Sequence, residues 1–461
     1  MSFIDRILDK LNLSETKKKV VRNLVWAVTG KVVTLLGSLL VGIFVARYLG
    51  PEQYGLMNYV VSYVAIFQVF ASFGLDNIEI REEAKCKGTG EYGRIPSAET
   101  NTILGTAFWL KLIFAVITMV LVIITAWLFE ADTFTKWMIT FYSLSMIMQT
   151  FSVIRNYFTS IVWNEYIVKT EISRTLIGAG IKVALLLLHA PLVWFIAATL
   201  FDTVLIAGGY LISYRKKIAS PRLWMFDKTT AKYLIREAFP LLLSGAAVVI
   251  YQRIDQVMIG NMIDKEAVGF FSVATAFVGV LMFVPITLTD TYMPIISNLW
   301  NTDKEAYKRQ NQQFMNITVW GTLLCSIVVC VLSYPLIRYT FGQQYLPAVP
   351  ILQVLAFKAV SVAFSSVAGK MIVAEGLQKW AILRDCTGCI VCILLNYLLL
   401  PRFGVTAAAW IAIASNLAAG YLSSVFIPAY RHTFVCQTKC LLLGWKDLTR
   451  IVSFAKIRTK Q

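Results

Sequence analysis

Twelve mostly apolar stretches recur along the chain, at about 23–47, 55–75, 103–128, 137–156, 175–188, 192–213, 239–259, 268–296, 316–335, 349–373, 386–400 and 405–430. They constrain the fold more than any other feature. A helix needs roughly 20 such residues to cross a bilayer core, and in lipid only helices and closed β-barrels satisfy their own backbone. Barrel strands alternate apolar and polar residues, whereas the run from Ile113 to Leu128 is almost continuously apolar. Helices therefore win. The fifth stretch is short and interrupted by Lys182, and His189-Ala190-Pro191 forms a hairpin tip before the sixth. Composition agrees: 15% of residues are charged, against about 25% in a soluble domain. A soluble enzyme and a disordered chain are both excluded.

The charge imbalance reports orientation. The chain carries 43 Lys+Arg against 26 Asp+Glu, a net +17. With the N-terminus inside, 31 of the 43 fall on cytoplasmic segments. Lys136, Lys265, Arg338 and Arg402 fall outside, and eight lie within spans. This satisfies the positive-inside rule and places both termini in the cytoplasm, so no nucleic-acid partner is needed to explain the excess. The first 20 residues show no secretory signal pattern. Phe3, Ile4, Ile7, Leu8 and Leu11 read as one face of an amphipathic helix on the inner surface, with a frayed polar tail as the plainer alternative.

The fold expected is an all-α polytopic membrane protein with about twelve transmembrane helices in two six-helix lobes. Residues 1–22 form the amphipathic segment, 23–213 one lobe, 214–238 a basic linker, 239–430 the other lobe and 431–461 a basic tail. Tyr48-Leu49-Gly50-Pro51-Glu52-Gln53-Tyr54-Gly55 after the first span is echoed by Met262-Ile263-Asp264-Lys265-Glu266-Ala267-Val268-Gly269 after the seventh, at an offset of 214. Six spans per lobe implies a parallel repeat with a pseudo-twofold axis along the membrane normal, and a substrate path between rocking halves.

Charges inside spans are costly and tend to mark function. The basic ones are Lys31, Arg47, Lys111, Arg155, Lys182, Arg253, Lys358 and Lys370; the acids are Asp202, Asp255 and Asp290. Arg47, Arg155 and Lys370 lie near span ends, where a long side chain reaches the interface. Lys31 shares a helical stripe with Thr34, Ser38 and Gly42, and Lys358 one with Ser361, Ser365 and Gly369. Gln252 and Gln256 share one with Gly245 and Gly260, and Arg253 and Asp255 lie on its two shoulders. Asn58 with Ser62 and Ser72, and Gln149 with Ser145, Ser152 and Asn156, add polar faces on spans two and four. Such stripes glue helices together or line a wet cavity. A cation in the stripe favours the cavity, because it needs water or a counter-ion. Arg253 and Asp255, two apart on a helix, do not face each other. The cavity expected is therefore net cationic and suited to a phosphate or pyrophosphate, lined by Lys31, Arg253, Lys358, Gln252, Gln256, Asn58 and Gln149. Asp255 and Asp290 are candidates for carrying a coupling ion. Pro285 and Pro294 mark span eight for bending.

Cys386, Cys389 and Cys392 have metal-pair spacing, but in a helix that spacing marks one face, and small buried hydrophobes are the simpler reading. Cys436, Cys440 and His432 are read the same way, with S-acylation the alternative. Gly88-Thr89-Gly90 is too short for a phosphate loop. The chain has two histidines, no nucleophile constellation and short outer loops. An enzyme, a metal and a cofactor are not expected.

The run Phe44-Val45-Ala46-Arg47-Tyr48-Leu49-Gly50-Pro51-Glu52-Gln53-Tyr54-Gly55 carries a family resemblance. So do Phe73-Gly74-Leu75-Asp76, Arg253-Ile254-Asp255-Gln256-Val257-Met258-Ile259-Gly260, Phe341-Gly342-Gln343-Gln344-Tyr345 and Pro401-Arg402-Phe403-Gly404-Val405. In order and spacing the chain resembles the bacterial polysaccharide transporters that flip lipid-linked O-antigen and capsule repeat units. These belong to the multidrug, oligosaccharidyl-lipid and polysaccharide exporter superfamily. The resemblance implies an inner-membrane flippase for an undecaprenyl-pyrophosphate-linked oligosaccharide, working by alternating access, with the membrane and other polysaccharide-assembly proteins as partners. A cation-coupled multidrug exporter and a peptidoglycan-precursor flippase are the alternatives.

Overall fold

A computed structural model of the protein describes residues 15–86 and 95–447, with side chains from Gly30 onward. The amphipathic segment at Phe3–Leu11, the Gly88-Thr89-Gly90 turn and Arg450, Lys456, Arg458 and Lys460 of the basic tail lie outside the described residues. The described chain is helical, with no β-strand among the described residues. The helices are α1 Glu15–Ser72, α2 Leu75–Lys85, α3 Ala98–Phe129, α4 Thr133–Ser143, α5 Ser145–Gln149, α6 Ser152–Ser160, α7 Asn164–Leu187, α8 Leu192–Lys217 and α9 Lys228–Met262. They continue with α10 Lys265–Thr302, α11 Lys304–Thr340, α12 Ala348–Leu355, α13 Lys358–Ala374, α14 Ala381–Phe403, α15 Val405–Leu417, α16 Ser423–Phe426 and α17 Arg431–Leu443.

Ten helical stretches among the described residues are long and apolar enough to cross a membrane. One, Gly30–Lys85, runs 56 residues, enough for two crossings. It breaks at Gly50, whose φ of 75° suits a residue without Cβ, and Pro51 starts the next helix. Helix α7 carries Glu165, Lys169, Glu171, Arg174 and Lys182 and is not among the ten. The hairpin tip falls where expected: α7 ends at Leu187, His189 takes a φ of 50°, and α8 starts at Leu192. Leu128, Phe129, Leu187, Leu188 and Val331 are among many large apolar side chains left exposed. Such a surface is suited to lipid rather than water. The protein is a multi-pass membrane protein.

The chain divides into two compact units, one of residues 1–48 and 67–242, the other of 49–66 and 243–461. In the first unit Leu75, Ile78, Leu104, Leu110, Ile154, Tyr157, Phe158, Tyr210 and Tyr214 form one core. Residues 214–238, expected as a linker, are held tightly against it. The Trp224 indole donates to Tyr214 Oη (3.1 Å), Met225 N to Asn101 O (3.3 Å) and Asp227 N to Thr106 Oγ1 (3.1 Å). A side chain on Gly105 would run into the backbone of Trp224 and Met225. Asp227 caps α9 through Thr230 N (2.6 Å). That backbone donor, with the Thr230 hydroxyl, holds the Asp227 carboxyl below its ordinary value.

In the second unit the two repeated motifs meet. A Cβ on Gly55 would collide with Lys265 O and Gly269 N, and a Cβ on Gly269 with Pro51 O. The contact is reciprocal at the offset of 214, as a twofold-related pair requires. Overpacking a tight contact costs about 1–3 kcal/mol. Gly55→Ala and Gly269→Ala are each expected to lower the melting temperature of the purified protein. Gly321→Ala, where a Cβ meets open space, serves as the tolerated control. Pro285 and Pro294 both lie inside one continuous helix, α10. A π-turn at Ala418–Leu422 follows α15, and the Gly420 carbonyl there accepts Gln437 Nε2 at 2.8 Å.

Candidate substrate cavity

Within the second unit, α9, α10, α13 and α14 enclose a cavity of about 620 Å³. Helix α9 contributes Gln252, Arg253 and Gln256, and α13 contributes Lys358 and Lys370. Asp290 lines it from α10 and Arg384 from α14. The lining thus holds four basic side chains and one acid. Gln252 and Arg253 are exposed and Lys358 is buried. Of the lysine stripe on α13, Lys358, Ser365 and Gly369 line the cavity, while Ser361 donates back to Lys358 O at 2.8 Å.

Other expected site residues are tied into packing or lie elsewhere. Gln256 borders the cavity but is built into the packing. It accepts a short hydrogen bond from Ser62 Oγ, and its Nε2 donates to Ser272 Oγ at 3.2 Å. Asn58 turns back on its own helix, donating to Tyr54 O at 2.8 Å. Lys31 on α1 and Gln149 on α5 are exposed residues of the first unit. Span four runs as one helical stretch, Thr133–Ser160, tightened at the α4–α5 and α5–α6 junctions, where Ile147 N donates to Leu144 O (3.2 Å) and Thr150 N to Ile147 O (3.2 Å). Gln149 is on its exposed side, whereas Ser152 and Asn156 join a buried ion cluster.

Arg253 and Asp255 take different sides of α9, as residues two apart must. Asp255 is 1% exposed. Its Oδ1 accepts Asn396 Nδ2 at 2.8 Å and Cys392 Sγ at 3.3 Å. Its Oδ2, and Oδ1 of Asn396, have no hydrogen-bond partner among the described residues. Lys358 is the cation whose field acts on it, a partner that the spacing along α9 and α13 did not disclose.

Several in-span charges prove to be paired. Lys182 Nζ lies 2.6 Å from Asp202 Oδ2, Arg155 Nε 3.7 Å from Glu171, and Lys370 Nζ 2.8 Å from Asp290 Oδ1. Lys111, 1% exposed, is shared between Asp76 Oδ1 (2.7 Å) and Glu79 Oε1 (2.8 Å). The Asp290–Lys370 pair is half open, with side chains 51% and 33% exposed, and such pairs contribute about 0–1 kcal/mol. Asp290→Asn is expected to leave the melting temperature nearly unchanged, as a thermal unfolding scan would show.

Lys370, whose position near a span end suits the interface, and Arg384, between the tenth and eleventh apolar stretches, also line the cavity. Arg384 Nη2 is held at 2.9 Å by the buried Asp385, which also accepts Ser244 Oγ at 2.5 Å. The adjacent Arg-Asp pair at the start of an apolar run was the available signal. The cysteines mostly pack. Cys392 is buried beside Asp255, and Cys436 Sγ lies 3.9 Å from Met315 Sδ. Burial pushes the Cys436 and Cys440 thiols up to about 12. His432 Nε2 instead meets Glu375 Oε2 at 2.7 Å.

Residues 20–300 match the family described as polysaccharide biosynthesis protein. The chain belongs to that family. An uncharacterized membrane protein of Methanocaldococcus jannaschii is 22% identical over 415 residues, covering 85% of this chain and 81% of its own. Among solved structures, the lipid II flippase MurJ in an inward closed conformation superimposes with a TM-score of 0.65 at 14% identity, covering 91% of this chain and 92% of MurJ. An inward-facing multidrug resistance MATE family transporter of the MOP superfamily gives 0.64 at 15% identity, covering 92% and 96%. This polysaccharide biosynthesis family member therefore has the all-helical, two-lobed fold of MOP superfamily transporters.

Proposed function

We propose that the protein is a flippase. It moves an undecaprenyl-pyrophosphate-linked oligosaccharide repeat unit from the inner to the outer leaflet of the bacterial inner membrane, by alternating access. The observation that carries this reading is the cavity lining, in which Arg253, Lys358, Lys370 and Arg384 face a single acid, Asp290. Guanidinium and ammonium groups suit a pyrophosphate, with Arg offering a fork of donors and Lys a point charge. A cavity for organic cations would reverse that balance, which counts against the multidrug reading despite the shared fold. Lys31, Asn58 and Gln149 keep a proposed substrate-facing role on their sequence pattern alone.

The glycan is identified by deleting the gene and analysing the membrane lipids. The reading expects one lipid-linked repeat unit to build up unflipped. Build-up of the peptidoglycan precursor would move the assignment to that lipid, and drug sensitivity without any lipid build-up would move it to multidrug export.

An inside-negative potential favours outward movement of an anion, by about 2.3 kcal/mol per charge at 100 mV. Cation antiport is the second route, and one observation favours Asp255 over Asp290 as its carrier. Asp290 is engaged by Lys370, whereas Asp255 and Asn396 present two buried oxygens without donors among the described residues. Vesicles in which an ionophore collapses the potential but the ion gradients persist separate the two routes. Unchanged flipping there would discard the potential-driven route.

A further inference from the structure

The first unit buries a second charge cluster that the proposed transport reaction does not use. Glu79 and Glu83 lie one turn apart on α2 and are 0% and 3% exposed. Lys111 is already divided between Glu79 and Asp76, with Ser152 Oγ at 3.2 Å, and Asn156 Nδ2 donates to the same two carboxylates. Neither oxygen of Glu83 has a hydrogen-bond partner among the described residues. The groups facing it are Glu79 from its own helix, Lys111 from α3, Tyr157 and Ser160 from α6, and Tyr214 from α8. Ser160 spends its hydroxyl hydrogen on Tyr157 O (2.8 Å), and Tyr214 Oη receives the Trp224 indole. A carboxylate in this place has lost its water, gained no donor among the described residues and stands one turn from another anion. The neutral acid avoids those costs.

We propose that Glu83 is a proton-binding site, holding one exchangeable proton in the first unit against the Glu79–Lys111–Asp76 cluster. A metal ion does not fit, because the Lys111 ammonium already stands between the carboxylates of Asp76 and Glu79. Release is a simple dissociation. The Glu83 O–H bond breaks, the electron pair stays on the carboxylate, and the proton passes to water. Asp76, with a side chain 46% exposed, is the wet end of the cluster. Helix α2 also carries Arg81 and Glu82, which hold Glu237 (2.8 Å) and Tyr233 (3.1 Å) of α9. Loss of the proton places two anions on one buried face of α2, and so favours a state in which that face opens to water.

Infrared spectroscopy of the purified full chain in lipid nanodiscs tests this without any substrate, so its outcome is independent of the flippase reading. The spectrum at neutral pH is expected to contain a carboxylic-acid C=O band that bleaches as pH is raised. Glu83→Gln, isosteric with the neutral acid, is expected to fold and to lack that band. Incorporating ¹³C-labelled glutamate into the wild type is expected to shift it, which assigns the band to a glutamate, and its loss in Glu83→Gln then assigns it to Glu83. A neutral-pH spectrum with no such band, a band that ¹³C-glutamate does not move, or one that persists unchanged in Glu83→Gln would overturn the proposal.

Discussion

Arg253→Ala is expected to cut flipping of the lipid-linked glycan by about 10–100-fold, the range set by losing a charge-assisted hydrogen bond of about 1.5–3 kcal/mol. The protein should still insert and melt as the wild type does. Arg253 is exposed in the cavity, so its removal opens no void. Arg253→Lys is expected to fall between the two, because it keeps the charge and loses the fork. Lys358→Ala should lose flipping as well, but with a stability cost that Arg253→Ala lacks. Lys358 is buried, and its field offsets the Asp255 carboxylate. Flipping rates in reconstituted vesicles, paired with melting curves, separate the two effects. Full activity in both alanine variants would remove the cationic cavity from the mechanism.

The largest stability effect is expected at a residue outside that cavity. Lys111→Ala strips the ammonium from two carboxylates, one of which, Glu79, is fully buried. Breaking a buried pair from one side costs about 3–5 kcal/mol, enough to unfold a marginal domain. The double change Lys111→Met with Glu79→Gln should recover much of the loss, because it removes both charges while keeping their shape. Thermal unfolding of the single and double variants measures this. Equal melting temperatures for wild type and Lys111→Ala would show that the cluster contributes little to the fold.

The apolar runs made the helices legible, because the cost of an unsatisfied backbone in lipid leaves few alternatives. The repeat at offset 214 was legible too, and Gly55 and Gly269 show its physical content: each has no side chain because the other motif's backbone occupies the space. Arg253 and Lys358 were readable as costly charges in apolar runs, and both line one cavity. Partnerships across helices were not readable. Periodicity says which residues share a face of one helix, but not what that face meets. Lys111 finds Asp76 and Glu79 more than 30 residues away, on a stretch that composition assigned to a loop. Asp255 turns to Asn396 rather than toward the cavity for the same reason.

Transport by the purified protein in sealed vesicles shows whether the cavity selects an anionic lipid-linked head group. Undecaprenyl-pyrophosphate-linked oligosaccharide and a lipophilic organic cation would be offered in parallel, with Arg253→Ala as the control. The account predicts that the pyrophosphate-linked glycan crosses, that Arg253→Ala slows it, and that the organic cation is not moved. Transport of the cation, with the glycan left in its original leaflet, would contradict it.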